Sequence, residues 1–188
     1  MRIVVVTPPA APVVSTAEAK DHLNVHFDDD DVLIAAMVAA ATANLDGPEG
    51  WLGRALGEQT LEARLHAFGS DPILLPLPPH IEIASIKYVD TDGVEQTLDP
   101  GEYELLGAEL DLAYGKTWPS VRGQREAVRI RFAAGYEDGL HPSIHSAILL
   151  MTGDLYAQRE TFVTGTIAQE VPMSTNVVNL LTPLRMWV

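Results

Sequence analysis

The sequence contains no cysteine in 188 residues. That absence excludes a disulfide framework, thiol catalysis and cysteine-ligated zinc or iron–sulfur sites, and it fits a reducing compartment. Basic residues are also scarce, because 12 Lys and Arg against 26 Asp and Glu leave a net charge of −14. A protein that gains affinity by neutralising phosphates carries the opposite balance, so tight wrapping of nucleic acid is excluded. Long apolar runs are missing. The longest, Val32 to Ala43, falls short of the ~20 residues of a membrane span. Ile3 to Val6, ahead of Pro8-Pro9, are too few for the roughly 7 to 15 residues of a signal-peptide core. The expectation is a soluble chain with no visible export signal and no membrane partner.

What remains is a globular composition, 47% hydrophobic and 20% charged, too apolar for a disordered chain. The length predicts one domain, with room for an insertion. Three prolines within residues 8 to 14 hold that stretch extended as a leading arm. Ser15-Thr16-Ala17-Glu18 fits a capping box, which predicts a short helix over residues 16 to 23. Asp28 to Asp31 place negative charge where a helix N-terminus has unpaired amides, so a second helix should begin within this run. It should continue to about Leu45 and stop at Gly47-Pro48. With alanine on nearly every face, this helix is expected to pack closely on more than one neighbour, as in a bundle core or a subunit interface.

From residue 57 to 136 the period changes to two. Leu61, Ala63 and Leu65 share one strand face, and Ile81, Ile83, Ile86 and Tyr88 alternate either side of a bulge at Ala84-Ser85. Asp90-Thr91-Asp92-Gly93 is a tight-hairpin signal. Further short strands are predicted at 94–98, 102–106, 109–114 and 127–133. A helical period returns at Pro142, with Ile144, Ala147, Ile148, Met151 and Leu155 on one face. The fold class is therefore α+β: a small helical bundle interrupted by a β-rich insertion between the second and third main helices, with an extended N-terminal arm and a C-terminal tail. The whole of 1–188 reads as a single domain, with helical parts at about 15–56 and 141–182 and the insertion at about 57–137.

The candidate chemical motifs fall back to plain readings. Tyr114-Gly115-Lys116-Thr117 ends like a phosphate-binding loop, but Leu110 stands where the first glycine belongs and Trp118-Pro119 follows instead of a helix. His22 and His26, and His141 and His145, are four apart, yet neither pair has the intervening glutamate of a zinc helix. Asp28 to Asp31 with His26 would suit a carboxylate-dependent metal hydrolase, but they lack the alternate ligands, glycine and distal glutamate of a calcium loop. No serine sits in a G-x-S-x-G elbow. We expect no enzyme, no metal and no cofactor. An alternative reading is a small-ligand binding module on the β-rich part, with Trp118, Tyr88 and Tyr136 lining its pocket. One feature asks for a partner. Leu180, Leu181, Leu184, Met186 and Trp187 concentrate large apolar groups at a terminus, where docking either on the chain's own core or on another subunit would bury them.

An ordered series of segments then stands out. It begins with Val14-Ser15, Glu18-Ala19-Lys20 and His22-Leu23, then Asp30-Asp31 and Leu33-Ile34 leading the alanine-rich helix, and Gly53-Arg54 and Leu56 before a strand. It continues with Leu77-Pro78-Pro79, Ser85 to Asp90, Gly93, Gln96-Thr97-Leu98 and Tyr103. It closes with Val128-Arg129-Ile130, Phe132, Ala134-Gly135-Tyr136, Pro142, Ile144, Ala147 to Leu150, Leu155-Tyr156 and Arg159-Glu160. Over roughly residues 13 to 160 this series resembles the head-tail connector proteins of tailed phages, also called adaptor or head-completion proteins. The ending Leu180-Leu181, Pro183-Leu184-Arg185 is similar too, with Leu184 where that family has tyrosine.

The resemblance implies a structural virion protein without turnover. It would be a subunit of a ring, dodecameric by resemblance, docked under the portal protein in the neck between head and tail, and made in the host cytoplasm. Its partners would be the portal, neighbouring copies, and a stopper or tail-completion protein. Double-stranded DNA would pass through the lumen without tight binding, which a surface rich in carboxylates permits. The residues implied for gripping the portal or a neighbour are Leu180, Leu181, Leu184, Arg185, Met186 and Trp187.

Overall fold

The computed structural model describes residues 1–69, 72–158 and 173–186. Among these residues the fold is α+β, with four α-helices and two antiparallel sheets, and the chain divides into two compact units.

The first unit comprises Met1–Ala10 and Arg54–Glu137 and holds the eight strands found among the described residues. Ahead of the proline arm, Arg2–Thr7 (β1) is itself a strand, a pairing that alternation alone does not single out. It joins Gln59–Leu65 (β2), Val128–Ala134 (β8), His80–Val89 (β4) and Glu95–Thr97 (β5) in a five-stranded sheet of order β1-β2-β8-β4-β5. Ile73–Leu74 (β3), Glu109–Leu112 (β7) and Tyr103–Leu106 (β6) form a three-stranded sheet in the order β3-β7-β6. The expected bulge is present as a register shift between Ile83 and Ser85. The β4–β5 hairpin closes through Asp90, whose Oδ1 accepts from the amides of Asp92 and Val94.

Alternation decides which side of each strand is covered. Leu61, Ala63, Ile86, Val128, Ile130 and Phe132 on the larger sheet are buried in one apolar cluster with Ile73 and Leu110 of the smaller one. Phe68 stacks on Trp118, with ring centroids 4.6 Å apart, and meets Tyr88 edge-on at 6.0 Å. The opposite face of the larger sheet is polar. There Glu62 is nearly buried, and it accepts from Arg64 at 2.8 Å and Arg131 at 2.9 Å. Burial alone would push its carboxyl up, but the two guanidiniums outweigh this and hold its pKa below the ordinary carboxylate value.

The second unit comprises Ala11–Gly53 and Asp138–Trp187 and holds the helices Thr16–Leu23 (α1), Asp31–Leu45 (α2), Pro142–Ala157 (α3) and Thr175–Leu181 (α4). The capping box forms as predicted, with the Ser15 side chain accepting from the Glu18 amide and the Glu18 carboxylate accepting from the Ser15 amide. On α2 only Ile34, Val38, Ala41 and Leu45 are buried, a single stripe of spacing four, three and four. This stripe packs against both α1 and α3, so α2 meets more than one neighbour as expected, while its other side stays exposed among the described residues. On α3 the buried stripe is Ile144, Ala147, Ile148, Met151 and Thr152, whose hydroxyl is satisfied by the Ile148 carbonyl at 2.8 Å. Leu155, expected on the same stripe, is substantially exposed.

Candidate functional site

The C-terminal cluster singled out in the sequence is seated on the second unit by a short turn after α2. Gly47-Pro48 ends that helix, and the chain folds straight back, with the Trp51 amide donating to the Asn44 carbonyl at 2.9 Å and Leu52 fully buried. Onto this turn comes the end of the chain. The Met186 amide donates to the Leu52 carbonyl at 2.9 Å, and the Arg185 guanidinium lies 4.2 Å from the centroid of the Trp51 ring. Residue 53 has to be glycine for two reasons. Its φ of +64° is in the left-handed region, and a Cβ there would stand 2.8 Å from the Met186 carbonyl oxygen. The sequence alone named the tail but not its seat; Gly53 was visible, its closeness to residue 186 was not.

Within the tail the side chains divide. Leu181 and Val177 are buried and fix α4, whose N-cap Ser174 accepts from the Val177 amide. Leu180 and Met186 remain 36% and 39% exposed, while Leu184 and Arg185 are half-buried. Trp187 lies outside the described residues, as do Arg159 and Glu160. So four of the named residues reach the surface, and Leu181 holds the segment that presents them.

The same unit exposes the uncovered side of α2. Val32 is 85% exposed, Leu33, Ala35, Ala36, Ala39, Ala40 and Ala43 are exposed as well, and no residue of α2 after Asp31 is charged. Beside it Ala40, Ala41, Met151, Leu155 and Met173, with Asn44 and Asp154, line a mostly apolar groove of about 200 Å³. An exposed helix side this apolar is unusual for a solvated surface.

The polar candidates are engaged in holding helices together. Lys20 donates to Asp28 at 2.7 Å and to Asp31 at 2.6 Å, which lowers the Asp28 pKa through that hydrogen bond and ties α1 to the start of α2. Asp30 accepts from the Tyr156 hydroxyl at 2.6 Å, joining α2 to α3. His26 and His22 are exposed. His141 caps α3, its Nδ1 accepting from the Ser143 amide, and His145 pairs with Glu18 at 3.3 Å. The Ser15 hydroxyl is the main cause that holds Glu18 below its ordinary pKa, with the Ser15 amide and His145 adding to it. Among the described residues no three His, Asp or Glu side chains gather in a way that could hold a metal ion. Of the aromatic trio, Tyr88 and Trp118 pack about Phe68, while Tyr136 follows β8 with its amide donating to Leu56. In the first unit Gly115 and Lys116 belong to a turn in which the Lys116 amide donates to the Ala113 carbonyl.

No family model matches the sequence, and no curated protein matches it. Solved structures do. A chain from the neck of an empty gene transfer agent particle, computed with C6 symmetry, has a TM-score of 0.78 at 23% identity. A chain from the virion of the native gene transfer agent particle has 0.77 at 25%, and one from the native neck with C12 symmetry has 0.76 at 24%. Each match covers 100% of this chain and 97% of the other. The fold is thus one found in the neck of phage-like particles, in agreement with the resemblance to head-tail connector proteins.

Proposed function

We propose that this chain is a structural protein of the neck of a phage-like particle, one subunit of a connector ring that joins the DNA-filled head to the tail. The observation that carries this reading is the likeness, over the whole chain, to chains from gene transfer agent particles, two of them from necks with sixfold and twelvefold symmetry. The ring docks under the portal protein and meets a stopper or tail-completion protein below. Its work is mechanical, with no bond made or broken. The net charge of −14 suits a conduit, since carboxylates facing the lumen repel phosphates and let the duplex slide without adhering. Leu180, Leu184, Arg185 and Met186 grip the portal or a neighbouring copy, Leu181 anchors the helix that carries them, and Trp187 extends the same apolar ending.

The test is a pair of variants made in the producing cell. Deleting residues 177–188 removes the whole segment, and Leu180→Asp with Met186→Asp spoils only its exposed part while keeping the buried Leu181. Both should give assembled heads that fail to retain DNA or to join tails. Normal, tailed, DNA-filled particles from the double substitution would overturn the docking role.

A further inference from the structure

The polar face of the five-stranded sheet breaks a rule of strand pairing. Arg2 on β1 lies opposite Arg64 on β2, Arg64 opposite Arg129 on β8, and Arg129 opposite Lys87 on β4. Four cations thus stand in one cross-strand row, about 14 Å long at the usual spacing of strands. Like charges directly opposite one another destabilise a sheet. Arg131 stands in the next row, between Glu62 and Ser85.

Three carboxylates are shared among these five cations. Glu126 bridges Arg2 at 2.9 Å and Arg64 at 3.1 Å, and Glu62 bridges Arg64 and Arg131. Glu95 bridges Lys87 and Arg129. Glu82, opposite Ala133, is the remaining charged group on these strands' polar side. Among the described residues, these strands and their ion pairs hold five of the chain's 12 basic residues against four of its 26 acidic ones. In a chain of net charge −14 this is a local inversion of sign. The carboxylates offset the like-charge register within the unit and leave the face with one positive charge in excess, where the chain as a whole is strongly negative.

The outer face of the three-stranded sheet in the same unit has the complementary character. Leu105 and Leu110 turn to the apolar cluster, so the alternate positions turn outward. These are Glu104 opposite Asp111, and Leu106 opposite Glu109, with Leu74 on the other side of Glu109. Leu74 and Leu106 are 62% and 58% exposed. At the margin Lys116 stands 3.8 Å from Glu102. Acidic groups framing two exposed leucines make a face that is both attracted to cations and relieved by burial.

We infer that the cationic row of one copy receives the acidic, leucine-bearing sheet of the next copy, so that these units associate head to tail. The two faces lie on opposite sides of one two-layer unit and cannot meet within a chain. Contacts between two different patches generate rings when the rotation closes, whereas a patch that pairs with itself stops at a dimer. Duplex DNA is the poorer occupant, because the rest of each subunit repels phosphate. The inference deepens the ring reading and rests on it.

The absence of native cysteine makes the test clean. Full-length Ser85→Cys, beside Arg131, and full-length Leu106→Cys are oxidised at low salt, alone and mixed. The mixture should give disulfide dimers at least ten-fold faster than either variant alone, and a chain carrying both cysteines should give a ladder of concatemers. Adding Arg129→Glu to the first partner should abolish the mixed product, and adding Glu104→Lys and Glu109→Lys to the second should restore it. Equal yields from all combinations, or a mixed product indifferent to the charge swaps, would overturn the assignment. So would binding of a duplex oligonucleotide that is lost with Arg129→Glu while no mixed dimer forms. If lysine-reactive cross-linking of particles shows copies side by side without the 85–106 link, the ring stands and this face falls. If it shows no copy-to-copy product at all, the ring reading itself fails.

Discussion

Gly53→Ala gives the sharpest view of how the tail is held. At φ +64° an alanine costs about 1–2 kcal/mol through its Cβ alone. Gly47, at φ +77°, carries the same backbone penalty, but a Cβ there meets nothing within 4 Å. The two substitutions share this backbone cost in urea, and Gly53→Ala should cost up to about 1–2.5 kcal/mol more, the worth of the tail contacts it breaks. There the Cβ of residue 53 would lie 2.8 Å from the Met186 oxygen, closer than such atoms approach, so Met186 has to move. Its hydrogen bond to Leu52 is worth about 0.5–1.5 kcal/mol, and the Arg185–Trp51 contact about 0.5–1 kcal/mol. Together these protect the Met186 amide by about 5- to 60-fold against opening. Hydrogen exchange should show that protection in the wild type and in Gly47→Ala, and its loss in Gly53→Ala. A Met186 amide that exchanges at the wild-type rate in Gly53→Ala would refute the seating of the tail on this turn.

Three further outcomes follow from the same contacts. Leu181→Ala should cost about 2–5 kcal/mol in chemical denaturation, and Leu180→Ala about 0.5 kcal/mol or less, because only the first is fully buried. Ser15→Ala should cost about 0.5–2 kcal/mol by opening the capping box, and NMR titration should show the Glu18 pKa rising toward its ordinary value. Glu62 is held below its ordinary pKa, so the unfolded chain binds its proton more readily than the folded one. The stability it adds is present above the ordinary carboxylate range and is lost as pH falls through it and on through the lowered folded value, beginning at about pH 5. Thermal unfolding followed from pH 7 to 3 should show this decline, and Glu62→Gln should flatten it while costing about 1–3 kcal/mol at pH 7.

Local rules were readable in advance wherever the cause is local. The Ser15–Glu18 box, the proline start of α3, the Ala84-Ser85 bulge and the Asp90 hairpin each depend on residues within four of one another, and each formed. What pairing decides was hidden. Arg64 and Arg129 were each unremarkable on an alternating strand, and their alignment with Arg2 and Lys87 exists only because distant strands meet in one register. β1 escaped for the same reason: Ile3 to Val6 carry no alternation, and their partner β2 begins some fifty residues later. On α2 the run of alanines predicted packing on more than one neighbour, and α1 and α3 both meet it, but periodicity measures how apolar a face is, not whether the chain supplies something to cover it. For that uncovered side and the tail, the sequence showed which residues are large and apolar but not which of them the chain leaves exposed.

We have proposed that this chain belongs to the neck of a particle and acts there by contact. Electron cryomicroscopy of particles purified from cells that make it tests this directly. The account predicts a ring of copies at a single vertex, between the head and the tail, with the 180–186 segment of each copy against a neighbouring chain. Particles that assemble, fill and join tails with the chain absent, or with it scattered over the head surface, would contradict it.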